Sequence, residues 1–407
     1  MIEHDEFRRE VRAALATRLR SRHEGDAFTV LGAGSDDLEA GRAYLRALAD
    51  GGWAVPTWPR EYGGLGATPA QAAIVAQELA HYDVPDMYPY VIGLAIAGPT
   101  LVAHATAAQS GRWLPAIRTG DEIWCQLFSE PDAGSDLASL ATRAERDGDQ
   151  WRVTGAKVWT SRAHYSQRGL LLARTDPDVP KHAGITAFAL DMQAPGVTVR
   201  PLRQMNGDTH FSEVHFDHAP VADADRIDAP GNGWRVARTA LAHERGAGAV
   251  GGGGWGADLK DRLVELVRRR GAAADPLVRQ RLAAAIIELE VARLTARRAR
   301  DTARAGRAPG PEGSGSKLRG SAGLKVAATL ALDVLAADGI AGVAGGDGDD
   351  EWRTLFLTSP SISIRGGTDE IQRNIVGERV LGLPPEPRAD VDVPFSQLPR
   401  TIRRGDQ

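Results

Sequence analysis

The spacing of apolar and polar residues changes twice along the chain. From residue 7 to about 123, apolar residues recur at helical intervals, and Ser35 and Thr68 stand where helices would start, which predicts a helical region. Residues 124 to about 227 form short β-type runs separated by Asp-Gly, Pro-Gly and Asn-Gly turns, which predicts strands. The helical spacing returns after residue 232 and continues to about 383.

This order predicts an α+β fold with three domains and a tail. We expect an N-terminal helical domain at residues 1–123, a middle β domain at 124–230, a C-terminal helical domain at 231–384 and an extended or mobile tail at 385–407. Two long helices are predicted in the C-terminal domain, from Pro276 to Ala305 and from Lys317 to Ala337, joined by a connection rich in glycine and proline.

Charge and cysteine content narrow the range of functions. The 49 basic and 53 acidic residues give a net charge of −4, so no uniform cationic field exists for nucleic acid or an anionic membrane. The most apolar stretch, Tyr90 to Ala108, contains Pro99 and His104 and predicts a buried helix, not a membrane span. Cys125, the one cysteine, excludes an intrachain disulfide and a multi-cysteine metal site. The acidic N-terminus lacks a secretory signal, so we expect a cytoplasmic protein.

Three common catalytic signals are weak or missing. The glycine-rich run at 246–254 follows a helix, whereas a dinucleotide-binding loop joins a strand to a helix, so we interpret the run as flexible or closely packed backbone. The ten histidines include no His-Glu-x-x-His pair, so a metal site is not predicted. Ser129 and Ser135 lie outside a Gly-x-Ser-x-Gly elbow, which argues against a hydrolase.

Two runs in the predicted β domain are more informative. Residues 125–136 end a strand in Ser-Glu-Pro and turn through Ala-Gly-Ser-Asp, which exposes hydroxyl and N–H groups suited to a polar heterocycle and a phosphate. A tight turn between strands explains these residues equally well. In residues 157–161, Trp159 stands beside Thr160 and Ser161, as a flat ring resting on an indole would require, although a core tryptophan is the simpler interpretation.

These two runs together resemble the acyl-CoA dehydrogenase family of flavoenzymes. The resemblance extends to Trp58–Gly66, Met205–Gly207 and Gly366–Arg373, in the family's order and spacing. It implies a helical domain, a β domain and a C-terminal four-helix domain. It also implies FAD, which the family usually binds between subunits of a tetramer.

Several positions carry cofactor roles over from the family. By this resemblance, Phe128 and Ser129 line the pyrimidine edge of the flavin, and Trp159 and Ser161 lie beside the isoalloxazine. Leu127 followed by phenylalanine is bulkier than the family's usual pair, so backbone groups would make the contacts there.

Other positions match the CoA and adenosine ends of the family's site, and one segment departs from it. The resemblance places Ser135 near the CoA chain, and Thr368 and Glu370 on the adenosine side of FAD. Many members have an Arg-x-x-Phe-Gly-like segment that reaches the flavin pyrophosphate of a neighbouring subunit. Residues 275–280 differ from it, so the FAD site would be completed differently.

The resemblance offers two positions for a catalytic base. Members oxidise an acyl thioester: a glutamate takes the α proton while the β hydride passes to the flavin. Many place that glutamate where this chain has Gly366, but a subset places it on a helix before an arginine, which Glu244 and Arg245 match. Glu244 also shares a helical stripe with Ala237 and Ala240, and a core-facing carboxylate is unusual. Arg245 and Gly366 are thereby expected beside the substrate, and an ion pair of the glutamate with a neighbouring arginine is the structural alternative.

The sequence therefore predicts FAD-dependent α,β-dehydrogenation of an acyl-CoA or acyl-carrier thioester, in fatty acid or other lipid metabolism. An electron-transfer flavoprotein is the expected electron acceptor, and a homodimer or homotetramer is the expected assembly. An oxidase of the same fold and a non-catalytic subunit of a mixed oligomer are the alternatives, and Glu244 argues against the second. Arg365, next to the vacated position, either meets an anionic acyl group or, as we favour, pairs with a carboxylate.

Overall fold

The computed structural model describes residues 2–22, 36–247, 259–304, 310–311, 313–341, 350–388 and 390–399. Helices, strands and helices again follow one another in the predicted order. The helices are α1 (Ile2–Ala16), α2 (Leu38–Ala49), α3 (Pro69–Leu79), α4 (Tyr88–Val91), a π-helical segment (Ile92–Ala97), α5 (Gly98–His104), α6 (Ala107–Thr119), α7 (Gly233–Ala247), α8 (Leu259–Arg269), α9 (Pro276–Arg304), α10 (Gly313–Leu335), α11 (Ala337–Ala341), α12 (Asp350–Ile362), α13 (Asp369–Ile375) and a second π-helical segment (Val376–Val380). The strands are β1 (Trp124–Leu127), β2 (Arg143–Asp147), β3 (Gln150–Ser161), β4 (Arg168–Arg174), β5 (Ile185–Asp191), β6 (Val197–Leu202), β7 (Phe211–Ala222) and β8 (Arg226–Ile227).

Side-chain caps explain where the N-terminal helices begin. At α3, the Thr68 hydroxyl accepts a hydrogen bond from the N–H of Gln71 at 3.3 Å, and the Gln71 side chain accepts one from the N–H of Thr68 at 2.9 Å. Thr106 begins α6 with the same reciprocal cap. Asp37 caps α2, while Ser35, the predicted start, lies outside the described residues.

The predicted apolar helix is present as α4, the first π-helical segment and α5, which continue one another from Tyr88 to His104. This helix 88–104 packs against α7 and against β1. Gly98 permits a close approach, because a Cβ there would lie 2.1 Å from Cζ2 of Trp58. Within the described part of the chain, no helix has the length and apolar character needed to cross a membrane.

The strands form one mixed sheet of eight, in the order β6-β7-β3-β2-β4-β5-β8, with β1 in parallel beside β4. Alternate residues of β4 face different cores: Leu170 and Leu172 pack on the helices, whereas Leu171 and Ala173 pack within the β domain. Burial of both faces explains why β4 and β5 are continuous apolar runs within the predicted β region at residues 124 to about 227. The sequence does not predict β2, because its mostly exposed, charged residues give no apolar alternation.

Helices α8, α9, α10 and α12 share the C-terminal core. The two predicted long helices correspond to α9 and α10, and α10 starts at Gly313, earlier than the predicted Lys317. Residues 305–309 and 312 of the predicted connection lie outside the described residues. The buried residues of this core include Leu263, Leu324, Ala328, Leu335 and Trp352.

Residues 390–399 of the tail lie against the β domain. The N–H of Phe395 donates to the carbonyl of Val179 at 3.0 Å, and its ring packs under the guanidinium of Arg174, 3.5 Å from the ring centroid. Lys181 forms ion pairs with Asp136 and with Asp390. These contacts tie residues 390–399 to the β domain. Sequence periodicity detects neither contact, because each joins positions far apart in the chain.

Replacing Phe395 with alanine should release the tail. Removing a buried phenylalanine ring weakens docking by about 2 kcal/mol, which raises a small undocked fraction about 30-fold. Trypsin cleavage after the exposed Arg388 should accelerate by a similar factor. Val391→Ala is the matched control, because this tail side chain is 45% exposed. Equal cleavage rates for Phe395→Ala and the parent would contradict the docking contact.

Candidate active site

A buried ion pair fastens the turn after β1 to β3. Lys157, with none of its side chain exposed, donates from Nζ to Oε1 of Glu130 at 2.7 Å and to the carbonyl of Phe128 at 2.9 Å. The Glu130 carboxylate also accepts the backbone N–H groups of Ala141 and Thr142 at 2.7 and 3.0 Å. Burial opposes ionisation of Glu130, but the lysine and these donors outweigh it and lower the pKa of the carboxyl. The pair fixes the turn relative to the strand.

The ion pair lies beneath a rim formed by Phe128, Ser129, Trp159 and Ser161. The N–H of Val158 donates to the carbonyl of Ser129 at 2.9 Å, so the two predicted runs meet. The Phe128 side chain is buried, and its carbonyl accepts the hydrogen bond from Lys157. The hydroxyl-bearing Ser129 and Ser161 are half-buried.

Trp159 is the main exposed surface of the rim. Its side chain is 60% exposed, so the interpretation as a core tryptophan is wrong. The pairing of β3 with β7 shifts register between Lys157 and Thr160, and Trp159 adopts a φ of 60° within this irregularity. Phe211 supports the indole edge-on, with ring centroids 5.9 Å apart. A bulge that turns an indole outward beside two serine hydroxyls fits a flat conjugated ring with polar edges.

Helix α7 carries Glu244 on the predicted stripe. Ala237 and Ala240 are fully buried, and Glu244 is half-buried one turn further along. From β1, the side-chain amide of Gln126 donates from Nε2 to Oε2 of Glu244 at 3.2 Å. The carboxylate therefore lies where α7, the end of β1 and the C-terminal loop converge.

Gly366 faces Glu244 from the loop between α12 and α13. A Cβ at this position would lie 3.9 Å from Oε1 of Glu244, so the two positions offered for a base are adjacent in space. The loop passes through φ values of 66° at Gly366 and 86° at Gly367, which glycine adopts without strain. The buried Gln372 holds this turn by donating to the carbonyl of Gly366 at 3.1 Å.

The residues after this turn stabilise the start of α13. The Thr368 hydroxyl caps the helix by accepting the N–H of Ile371 at 3.2 Å. Asp369 is buried and accepts hydrogen bonds from Lys317 and Ser321, both at 3.0 Å. Burial opposes its ionisation, but Lys317 and hydroxyl donors lower the pKa of its carboxyl. Asp369 therefore anchors the loop to α10. Glu370 is exposed in the first turn of α13.

The remaining predicted positions are more peripheral. Ser135 is exposed in the turn that follows the rim, next to the Asp136 that pairs with Lys181. Arg365 is exposed and forms no ion pair with any described residue, so the favoured carboxylate partner is not found there. The side chain of Arg245 and the glycine-rich run from residue 248 lie outside the described residues. Over the described ranges, no group of three or more His, Cys, Asp or Glu side chains could hold a metal ion.

Two functional contacts were not predicted. Lys157 occupies an inward position of β3, and a lysine in such a position signals a buried acid partner. Gln126 carries no sequence signal, because its contact with Glu244 depends on how β1 and α7 pack.

Models of all three acyl-CoA dehydrogenase domains match the chain. The N-terminal domain matches residues 2–121, the middle domain residues 125–219 and the C-terminal domain residues 231–381. The chain therefore belongs to the acyl-CoA dehydrogenase family of flavoproteins, oxidoreductases that act on a CH–CH bond.

Similar proteins agree with this assignment. Acyl-CoA dehydrogenase IpdE1 of Mycobacterium tuberculosis is 43% identical over 387 residues, which cover 94% of this chain and 98% of that protein. The structure of the Tcur3481-Tcur3483 steroid ACAD gives a TM-score of 0.76 at 27% identity, covering 95% of this chain and 99% of that one. The structure of the ChsE4-ChsE5 complex from Mycobacterium tuberculosis gives a TM-score of 0.73 at 28% identity, covering 94% of this chain and 98% of that chain. The fold of helical, β and helical domains is thus the family's fold.

The Lys157→Met variant should be strongly destabilised, because it leaves the Glu130 carboxylate buried without its cation. We expect a loss of about 3–5 kcal/mol in the free energy of unfolding, measured with urea. Adding Glu130→Gln removes the stranded charge, so the double variant should be at least as stable as Lys157→Met. Arg152→Met is the control on the same strand, since its ion pair with Asp147 is largely exposed and should contribute less than about 1 kcal/mol. Strictly additive losses in the double variant would argue against the pair.

Proposed function

We propose that this protein is a FAD-dependent dehydrogenase that converts an acyl-CoA thioester to the 2-enoyl thioester, with Glu244 as the base. One observation carries the proposal. The Glu244 carboxylate lies beside Gly366, in the place that a glutamate at position 366 would approach. The chain thus has a carboxylate near the point that a glutamate at either position, 244 or 366, would reach.

In this proposal, Glu244 accepts the α proton of the thioester on a carboxylate oxygen. When bound, FAD supplies the acceptor for the hydride that leaves the β carbon. Half-burial of Glu244 limits the access of water while leaving the carboxylate open to substrate. The buried apolar residues Ala237 and Ala240 hold the helix that carries this side chain.

The rim residues would hold the flavin. The exposed Trp159 indole offers a face for the ring system, Ser129 and Ser161 offer hydroxyls, and the backbone of Phe128 offers polar groups to the pyrimidine edge. Thr368 and Glu370 are proposed for the adenosine side, at the start of α13.

On the substrate side, we assign Ser135 to the CoA chain, and Arg245 and Gly366 to the surroundings of the thioester. Gly366 leaves open the space that a side chain would fill in front of Glu244. The name of one structural relative, a steroid ACAD, supports a steroid-derived acyl-CoA as the first substrate class to test.

Association with other subunits is part of the proposal. Helix α9 exposes Leu277, Ile287, Val291 and Leu294, and such an apolar surface favours burial in an oligomer. We propose a homodimer or homotetramer, with a mixed oligomer as the alternative that the name of the ChsE4-ChsE5 complex supports. An electron-transfer flavoprotein is the proposed electron acceptor.

The Glu244→Gln variant should retain its fold and flavin but lose the proton acceptor. Anaerobic mixing with steroid-derived and straight-chain acyl-CoAs should bleach the parent flavin, and the variant should bleach about 100-fold more slowly or worse. Glu213→Gln, a partly exposed glutamate of β7, is the matched control and should bleach at the parent rate. Near-parental bleaching by Glu244→Gln would eliminate this base and strengthen the non-catalytic alternative.

FAD should be bound without a covalent link. The one cysteine, Cys125, is fully buried, and burial raises the pKa of its thiol to about 12, so almost no thiolate is present to attack the flavin. Denaturation of the purified protein followed by ultrafiltration should therefore place the yellow colour in the filtrate. Flavin that remains on the unfolded chain would contradict this prediction, and a protein that takes up no FAD would contradict the proposed function.

A further inference from the structure

Gln126 is the residue of β1 that reaches the proposed base. Its neighbours Cys125 and Leu127 are fully buried in the core of the β domain, whereas Gln126 is half-buried and extends toward α7. Pairing with Leu170 of β4 fixes the backbone at this position. The amide is therefore carried by a rigid strand, at 3.2 Å from a carboxylate oxygen of Glu244.

The two carboxylate oxygens of Glu244 face different groups. Oε2 accepts the Gln126 amide, and Oε1 lies on the side of Gly366. An N–H donor stabilises the ionised form of a carboxylate more than the protonated form. It also restricts the rotation of the side chain, so that the second oxygen keeps one direction.

We propose that Gln126 is a positioning residue whose amide keeps Glu244 ionised and directs Oε1 toward the space beside Gly366. This inference rests on the proposed function, because Gln126 acts through Glu244. A neutral amide suits the role, since a lysine or arginine in its place would stabilise the carboxylate too strongly for it to accept a proton readily.

Other charged groups near α7 define the controls. His104 of α5 contacts Thr239, more than one helical turn before Glu244, and pairs with Asp228. Arg365 adjoins Gly366 and is exposed. The remaining charged groups on the elements packed against this part of α7, and on α7 next to Glu244, are Arg168, Arg174, Asp191, His243 and Arg245. Histidine is the side chain whose charge most often changes between pH 5 and 8, so the variants His104→Gln and His243→Gln must be included.

The test is the pH dependence of anaerobic single-turnover bleaching, with the FAD-loaded enzyme and a saturating acyl-CoA that bleaches the parent. Gln126→Leu removes the donor, so its midpoint should rise by about one pH unit and its rate at pH values well below the parental midpoint should fall about tenfold. Alkaline pH should restore most of the rate. Gln126→Glu, which is nearly isosteric, places a second carboxylate against Glu244 and should raise the midpoint further.

The controls distinguish a positioning role of Gln126 from a purely structural one. Cys125→Ala perturbs the same strand on its other face and should keep the parental midpoint. If Gln126→Leu lowers the bleaching rate by the same factor at all pH values, the residue has a merely structural role and the inference is overturned. If Gln126→Leu fails to bind FAD, the Gln126→Glu profile decides, and an unshifted midpoint overturns the inference. A midpoint that disappears in His104→Gln or His243→Gln would also overturn it, because the profile would then report a histidine. Parental bleaching by Glu244→Gln would instead refute the proposed function.

Discussion

The buried pair of Lys157 and Glu130 holds the two halves of the rim together. Glu130 follows the end of β1, and Lys157 lies in the middle of β3. The chain between these two residues includes the whole of β2. Because the carboxylate also accepts two backbone N–H groups before β2, three pieces of chain meet at one charge. A rim of hydroxyls and an exposed indole can keep its shape only while these pieces stay in register.

The base site follows from a second convergence, of α7, β1 and the loop after α12. The loop reaches Glu244 because two glycines turn it tightly and Asp369 ties it to α10. With glycine at 366, the carboxylate comes from the helix. The position of the carboxylate decides which element must be rigid. A glutamate at position 366 would be held by the turn of the loop, whereas Glu244 is held by the packing of Ala237 and Ala240.

The local sequence pattern predicted the elements whose burial and caps depend on neighbouring residues. Strands β4 and β5 are buried on both faces, and the capping residues of α3 are close together in the sequence. Each of these elements can therefore be predicted from neighbouring residues. The stripe that contains Glu244 was readable for the same reason. Gln126 and the docked Phe395 were not, because their partners are 118 and 221 positions away, respectively, and only the packed fold brings them together. The simpler interpretation of Trp159, as a core residue, was wrong because a bulge reverses the direction that strand alternation assigns to it.

The docked tail has a consequence for the order in which the chain folds. Phe395 closes against Arg174 only after the whole C-terminal helical region has been synthesised, since it lies beyond α13. Until then, the connection between β4 and β5 that contains Val179 and Lys181 lacks its contacts with the tail. Residues 390–399 thus complete a domain whose strands were made long before, and this contact of high sequence separation is expected to form late.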